Sequence, residues 1–398
     1  MKLGPGISRT PLPLKFLASS VNCGVRRYRP DIGMIISEVP AVAAGVFTLN
    51  ESKAAPVAYT QKLLPTDNAR AILTNSGQAN AATGNEGVEK NIMMVAAAAK
   101  ALGCAQEQVL VASTGKIGEQ LDLEKILPAM GDLVSRAQDQ AESFATAIMT
   151  TDLVPKTVST EVVLSTGTVR ITGISKGSGM IHPNMATMLG YLLTDVRISK
   201  EYASALVKKV SDVSFNMISV DGDTSTNDCC FLMANGASEV ELVNDSDREI
   251  FEAAMTEVSI YLAKAIAADG EGATKLMEVE ITGASDLLLA RKAARGVTLS
   301  PLVKTAIHGE DPNWGRILAR LGAEQVPREQ LDEMTLRLQG VLIFERGQPV
   351  QFDKAQVKLL LKQMHVKIAI DLRSGEHKAT AWGCDLSRKY VDINTEYS

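Results

Sequence analysis

The sequence predicts a layered α+β fold with hairpins, built as more than one structural unit. Three observations carry that expectation. At 398 residues the chain exceeds what a single small core organises. Short apolar runs broken by turn residues dominate the first third, as half-buried strands do. Further along, helical and strand-like patterns interleave without the regular strand–helix–strand rhythm of a doubly wound sheet.

FLASSVNCGV (16–25), GMIISEVP (33–40), AAGVFTLN (43–50) and RAILTNSG (70–77) read as strands. NEGVEKNIMMVAAAAKALG (85–103) reads as a helix stopped by Gly103, with Met93 and Met94 as core fillers. QVLVASTGKIG (108–118) is a strand entering a glycine turn, and a helical stretch follows at about 122–149. VSTEVVLSTGTVRITGI (158–174) alternates apolar and polar residues about Ser165-Thr166-Gly167, a hairpin pattern. Helices are expected over 200–218 and 248–270, the second closed by Gly270. Strands are expected over 228–236, 275–283, 366–372 and 378–386. Neither an internal repeat nor a low-complexity tract interrupts this order.

Composition narrows the function classes. Aromatics are 4% and the net charge is −5, a poor match to nucleic-acid surfaces, which need basic patches and stacking rings. The five cysteines, at 23, 104, 229, 230 and 384, are odd in number and lack a CxxC. They fit small buried hydrophobes in a reducing compartment better than a disulfide framework. No stretch reads as a membrane span, and the region of Lys2, Arg9 and Lys15 lacks the apolar core of a secretory signal. A cytoplasmic protein is expected.

Common site motifs fail in instructive ways. DGDTSTNDCCFL (221–232) begins like a calcium loop, but has Thr226 and Leu232 where that loop needs Gly and Glu. GEGATK (270–275) lacks phosphate-loop spacing. His182, His308, His365 and His377 have no metal-binding spacing. His308, in VKTAIHGEDPNWGR, is open to two readings: a member of a nucleophile–histidine–acid set, or part of a structural turn in which Asp311 and Asn313 bond to the backbone. No GxSxG elbow accompanies it.

The remaining feature is KGSGMIHPNMATMLGYLLTD (176–195), a polar glycine-containing approach that turns apolar at Ala186-Thr187. Threonine is a weak nucleophile unless a base activates it. A free α-amine of pKa about 7.7–8.0 on the same residue is one such base. An internal threonine gains that amine only when the bond before it is cut. On the residues alone, a strand that begins at a threonine is the simpler reading.

KGSGMIHPNMATML closely resembles the cleavage segment of the ornithine acetyltransferase family, also called glutamate N-acetyltransferase. VPAVAAGVFTLNESKAAPV (39–57), TNSGQANAATG (74–84), ASTGKIG (112–118), AIMTTD (147–152), SVDGDTSTND (219–228), DGEGATKLMEV (269–279), SPLVKTAIHGEDPNWGRI (300–317) and GCDLSRKYVDINTEY (383–397) resemble further family blocks in the family's order. The resemblance runs from about residue 16 to the end, and is weak over MKLGPGISRTPLPLK.

It implies an αββα sandwich of the N-terminal-nucleophile-like, aminopeptidase/ornithine acetyltransferase type, with a smaller C-terminal α/β unit at about 285–398. The chain would cut itself between Ala186 and Thr187 into an α chain (1–186) and a β chain (187–398). Thr187 would then carry acetyl from N-acetylornithine to glutamate by ping-pong kinetics. The matching positions for the oxyanion hole are the Thr114 hydroxyl and the Gly115 N–H. Those for substrate are Thr150, Lys176, Thr187, Glu271 and Asn394. Ser398 stands where family chains commonly continue by one further residue, so a terminal hydroxyl contact falls to it or is missing. No metal or bound cofactor is implied, and two αβ pairs would form a heterotetramer. Some family members also use acetyl-CoA to acetylate glutamate, and the residues do not distinguish the two types. The rival readings are a self-processed aminopeptidase or amidohydrolase, and an uncleaved binding protein.

Overall fold

The computed structural model describes residues 9–182 and 188–396. The chain forms two compact units, each assembled from three segments: Met1–Lys176, Asn184–Ser211 and Ser225–Leu262 in the first, and Gly177–Pro183, Asp212–Thr224 and Ala263–Ser398 in the second.

The strands in chain order begin with β1 (Phe16–Val21), β2 (Ile32–Phe47), β3 (Thr66–Gln78), β4 (Val109–Lys116), β5 (Lys156–Leu164), β6 (Gly167–Lys176) and β7 (Leu189–Thr194). The two-residue β8 (Ile218–Ser219) belongs to the second unit, and β9 (Cys229–Ala234) returns to the first. The first sheet runs β4-β3-β2-β9-β7-β6-β5, with β1 also on β2.

One strand turns this sheet into two layers. The sequence reads residues 33–40 and 43–50 as two strands. They form the single 16-residue β2. Its first half lies between β1 and β3, and its Val42–Phe47 half pairs with β9. The ladder to β3 shifts register between Ile36 and Ala41, so Pro40 sits at an irregularity, where a missing N–H is tolerated. In a flat sheet β3 and β7, three strand spacings apart, would stand about 14 Å from one another. Instead the Thr74 and Tyr191 hydroxyls hydrogen-bond at 2.8 Å. The sheet therefore folds back on itself.

Ile35, Ile72, Leu110, Phe144, Tyr191 and Phe231 fill the space between the layers. Phe144 meets Tyr191 edge-on at 4.9 Å, a favoured aromatic geometry. On one outer face, Met94, Val95 and Ala98 of the helix Gly84–Leu102 join Met34, Leu73 and Val111. On the other, Val258 and Leu262 of the helix Asp245–Ala268 fill the space beside Gly173 on β6. The order helix, sheet, sheet, helix is the expected αββα sandwich. Gly103 ends the helix Gly84–Leu102 in the left-handed conformation, φ 67°, as its position in the sequence predicts.

The expected helix at about 122–149 is broken. Short helical pieces cover Leu123–Ile126, Leu127–Ala129, Met130–Ser135 and Glu142–Ala147. Between the last two, Gln138 and Gln140 bridge to Ala18 and Pro11. Pairing with the N-terminal segment overrides local helix propensity there. The hairpin is as expected, with Leu164 opposite Gly167 across the Ser165–Thr166 turn.

In the second unit, β10 (Leu276–Ala284), β11 (Thr335–Leu338), β12 (Val341–Glu345), β13 (Gln348–Pro349), β14 (His365–Asp371) and β15 (His377–Cys384) join β8 in the order β13-β12-β11-β14-β10-β15-β8. The sheet is mixed, since β10 runs parallel to β14 and antiparallel to β15. The helix Leu287–Leu299 lies on β10 and β15. It buries Ala290, Ala293, Ala294 and Val297, and Asp286 caps it by accepting from Leu289 N at 2.8 Å. Among the described residues no helix is long and apolar enough to cross a membrane.

Candidate active site

In the first unit the parallel pair β3–β4 sets Gly77 opposite Gly115. Gly115 has φ 131°, and a Cβ there would lie 2.2 Å from the Gly77 carbonyl carbon and 2.6 Å from Gln78 N. Only glycine fits, and the main chain at Gly115 stays free of a side chain.

Beside it, three of the predicted residues meet. Lys176, at the end of β6, donates from Nζ to Thr114 Oγ at 3.2 Å and to Thr150 Oγ at 2.9 Å. Lys176 and Thr114 are buried, at 7% and 8% exposure. An ammonium group can only donate. Both threonine oxygens therefore accept from it, and their own protons point elsewhere. Among the described residues no acceptor lies on the Thr114 hydroxyl proton. The cluster offers an ammonium and hydroxyl donors next to an unobstructed backbone, which suits an anionic ligand or a developing oxyanion.

A supporting shell holds these groups, and sequence reading missed it. Asp152 accepts from Thr150 N at 3.0 Å and pairs with Lys156 at 2.7 Å, both side chains almost fully enclosed. Arg26 donates to the carbonyls of Met149 and Thr150. Ser113 donates to Asn75, Asn75 to Gln78 O, and Asn227 to the carbonyls of Ala79 and Ser113 at 2.6 and 2.9 Å. The ends of β3 and β4 are thus pinned on both sides of Gly115. The available signal was the Asn and Ser content of TNSGQANAATG and SVDGDTSTND, which propensity assigns to turns.

In the second unit, Glu271 and Asn394 come together. Asn394 Nδ2 donates to Glu271 Oε2 at 2.8 Å, and Glu271 is 9% exposed. Its N–H donates to Ser178 O at 3.2 Å. A Cβ on Gly179 would fall 2.3 Å from Glu271 Oε1, so a bare backbone at 179 makes room for the carboxylate. Nearby, Asp221 accepts from the N–H groups of Met180, Ile181 and Asp223, a use of its oxygens unrelated to calcium. No group of residues suited to a metal occurs among the described residues.

Two histidines have defined roles. Arg295 donates to His182 Nε2 at 3.1 Å, so Nδ1 carries the proton and donates to Ser219 Oγ at 3.1 Å. Burial, then the positive charges of Arg295 and Arg320, push this imidazole down to about 4. His308 Nδ1 donates to Asp385 Oδ2 at 2.7 Å. Among the described residues no hydroxyl bonds to its other nitrogen, and Asn313 caps the helix Trp314–Ala323 by accepting from Arg316 N. Cys229, Cys230 and Cys384 are buried, as expected of small hydrophobes, whereas Cys23 and Cys104 are only half-buried. Of the predicted site, Ala186, Thr187 and Ser398 lie outside the described residues.

Comparison with known proteins gives one consistent result. The model of the ArgJ family matches residues 17–398. The arginine biosynthesis bifunctional protein ArgJ of Oceanobacillus iheyensis is 45% identical over 388 residues, covering 97% of this chain and 95% of its own. Its namesake from Thermotoga neapolitana is 45% identical over 394 residues, covering 97% and 99%. Among solved structures, the arginine biosynthesis bifunctional protein argJ of Bacillus halodurans is 39% identical with a TM-score of 0.51, covering 52% of this chain and 99% of that one. The ornithine acetyltransferase of Mycobacterium tuberculosis, solved with ornithine, is 37% identical with a TM-score of 0.41, covering 44% and 94%.

Proposed function

The chain belongs to the ArgJ family and is an enzyme of the acyltransferase class, and on that premise we propose that it moves acetyl from N-acetylornithine to glutamate through an ester on Thr187. The observation that carries the reading is the Lys176–Thr114–Thr150 cluster beside Gly115.

The reaction begins with the chain itself. Thr187 Oγ adds to the Ala186 carbonyl, the amide C–N bond breaks, and water hydrolyses the resulting ester. A free amine is left on Thr187, which then serves as base for its own hydroxyl. The cut falls between β6 and β7, whose ladder from Ile171–Thr194 to Lys176–Leu189 would keep the fragments joined. In turnover Thr187 Oγ attacks the acetyl carbonyl of N-acetylornithine, ornithine leaves as the amine, and glutamate's amine takes the acetyl group. Each step passes through a tetrahedral oxyanion. The Thr114 hydroxyl and the Gly115 N–H are the donors for it. Lys176 supplies the countercharge to a substrate carboxylate, with Thr150 beside it, while Glu271 receives a substrate ammonium and Asn394 orients the Glu271 carboxylate. Ser398 takes the terminal hydroxyl contact.

We extend the proposal to acetyl-CoA as a second acetyl donor for glutamate, which the word "bifunctional" in the relatives' names supports. Chemistry on free amino acids suits the cytoplasm. The resemblance supports an assembly of two αβ pairs, roughly 85 kDa from a 42.5 kDa chain.

The test is a denaturing mass spectrum of purified protein beside Thr187→Ala. Division after residue 186 of 398 gives pieces of roughly 20 and 23 kDa from 42.5 kDa. Two pieces, the heavier beginning at Thr187, with an intact variant, are expected. A folded wild type that stays whole would sink the mechanism. Acetyl-glutamate formed from acetyl-CoA tests the second donor, and a transfer rate that ignores glutamate would turn the reading toward a hydrolase.

A further inference from the structure

We infer that Asp385 and His308 are positioning residues for the Glu271 carboxylate, an inference that rests on the proposed role of Glu271 as receiver of the substrate ammonium. Asp385 is 2% exposed and takes four hydrogen bonds. Thr274 N donates at 2.7 Å, Thr274 Oγ at 2.6 Å, Lys275 N at 2.8 Å and His308 Nδ1 at 2.7 Å. Burial alone would raise its pKa. The bonds from Thr274, His308 and Lys275 outweigh burial and hold it below the ordinary carboxyl range.

This carboxylate holds the segment directly downstream of Glu271. Thr274 is three residues on, after the left-handed Gly272 at φ 70°. Ser387 Oγ donates to Gly272 O at 2.6 Å, and Ala273 N donates to Gly270 O at 2.8 Å. The turn bearing Glu271 is therefore fixed by Asp385 and Ser387 on one side and by Ser178 O on the other. The same C-terminal segment supplies Asn394, the side chain that holds Glu271 Oε2.

Three of the four donors to Asp385 come from the turn itself. His308 is the fourth, and it ties this anchor to the helix Pro301–His308. Two buried lysines stitch the same segments: Lys304 Nζ donates to Cys384 O at 2.6 Å, and Lys275 Nζ to Ile307 O at 2.9 Å. His308 is thus a strut under a binding turn, and among the described residues no hydroxyl bonds to its other nitrogen.

The experiment measures ornithine affinity by calorimetry and steady-state kinetics on the full, processed protein. Wild type, His308→Ala and His308→Asn are compared, each also in a Glu271→Gln background. Asparagine keeps a donor near the Nδ1 position, and alanine removes it. His308→Ala should weaken ornithine and raise KM for N-acetylornithine about tenfold, as losing a hydrogen bond to a charged group does. kcat should stay within about twofold, His308→Asn should restore affinity, and His308→Ala should have no further effect once Glu271 is gone. Unmoved affinity with a lowered Tm, or the same loss in the Glu271→Gln background, would overturn the inference. Asp385→Asn is the second variant and should raise KM in the same direction, while an unchanged KM counts against it. A wild type that neither binds ornithine nor transfers acetyl would overturn the reading of Glu271, and this inference with it.

Discussion

Replacing Thr114 by valine separates the proposed oxyanion role from packing. Valine keeps the shape and removes only the hydroxyl. That hydroxyl accepts from Lys176 at 3.2 Å, so its proton is directed away from the ammonium and is available to an oxyanion. Losing one such donor typically costs about 10²–10³ in kcat, or about 2.7–4 kcal/mol. A second, separable effect falls on the ground state. The Lys176 ammonium, 7% exposed, loses one acceptor but keeps Thr150 at 2.9 Å, a stability cost of about 1–3 kcal/mol. The assay follows acetyl transfer with pre-processed protein, and self-cleavage by gel on fresh chain, with urea unfolding alongside. Thr114→Val should slow both reactions, and Thr114→Ser should recover most of the rate. A folded Thr114→Val protein that transfers acetyl within about threefold of wild type would refute the donor role.

Three further outcomes are expected. Gly179→Ala puts a methyl 2.3 Å from the Glu271 carboxylate, so the carboxylate must shift; KM for the amino-acid substrates should rise about tenfold or more, and an unchanged KM would show that Glu271 does not touch them. Lys156→Met removes the ammonium that neutralises enclosed Asp152 and should cost about 3–5 kcal/mol in urea unfolding; a loss under about 1 kcal/mol would contradict the pairing. His182 carries a pH signature. Its folded pKa of about 4 lies below the ordinary 6.5, so between these values the unfolded chain binds more protons and stability rises with pH. The contribution is complete above about pH 6.5 and is lost as pH falls through 4, about 2 kcal/mol once partial exposure is allowed for. His182→Gln should lose less stability than wild type between pH 7.5 and 4.5, and parallel losses would remove the assignment.

The strands and the long helices were legible because periodicity and glycine stops are local. β2 was not, because Pro40 reads as a break until the register shift that houses it is seen. The stretch after Leu121 failed for the opposite reason: its residues favour helix, but pairing with Ala18 and Pro11 takes Gln138 and Gln140. Thr114, Thr150 and Lys176 are 62 residues apart at the extremes, and no spacing rule joins them. Resemblance to a family named them; folding brings them within hydrogen-bond distance. Asn75, Asp152 and Asn227 escaped notice because buried polar residues that hold backbone look, in sequence, like turn formers.

The pairing of β8 with β15 has a consequence for how the chain is made. Ser219 finds its partner Gly383 only after about 160 more residues have been joined, a wait of roughly 10–30 s at 5–20 residues per second. Throughout that interval the second sheet lacks its last strand, and the segment bearing Asp221 has the earlier residues Met180 and Ile181 to bond to but no strand beside Ser219. Ribosome-stalled chains ending before residue 377 should leave that segment open to protease, while longer chains shelter it. Synthesis of the C-terminal strand thus acts as a timer, setting the earliest moment at which Ile218 and Ser219 join their sheet.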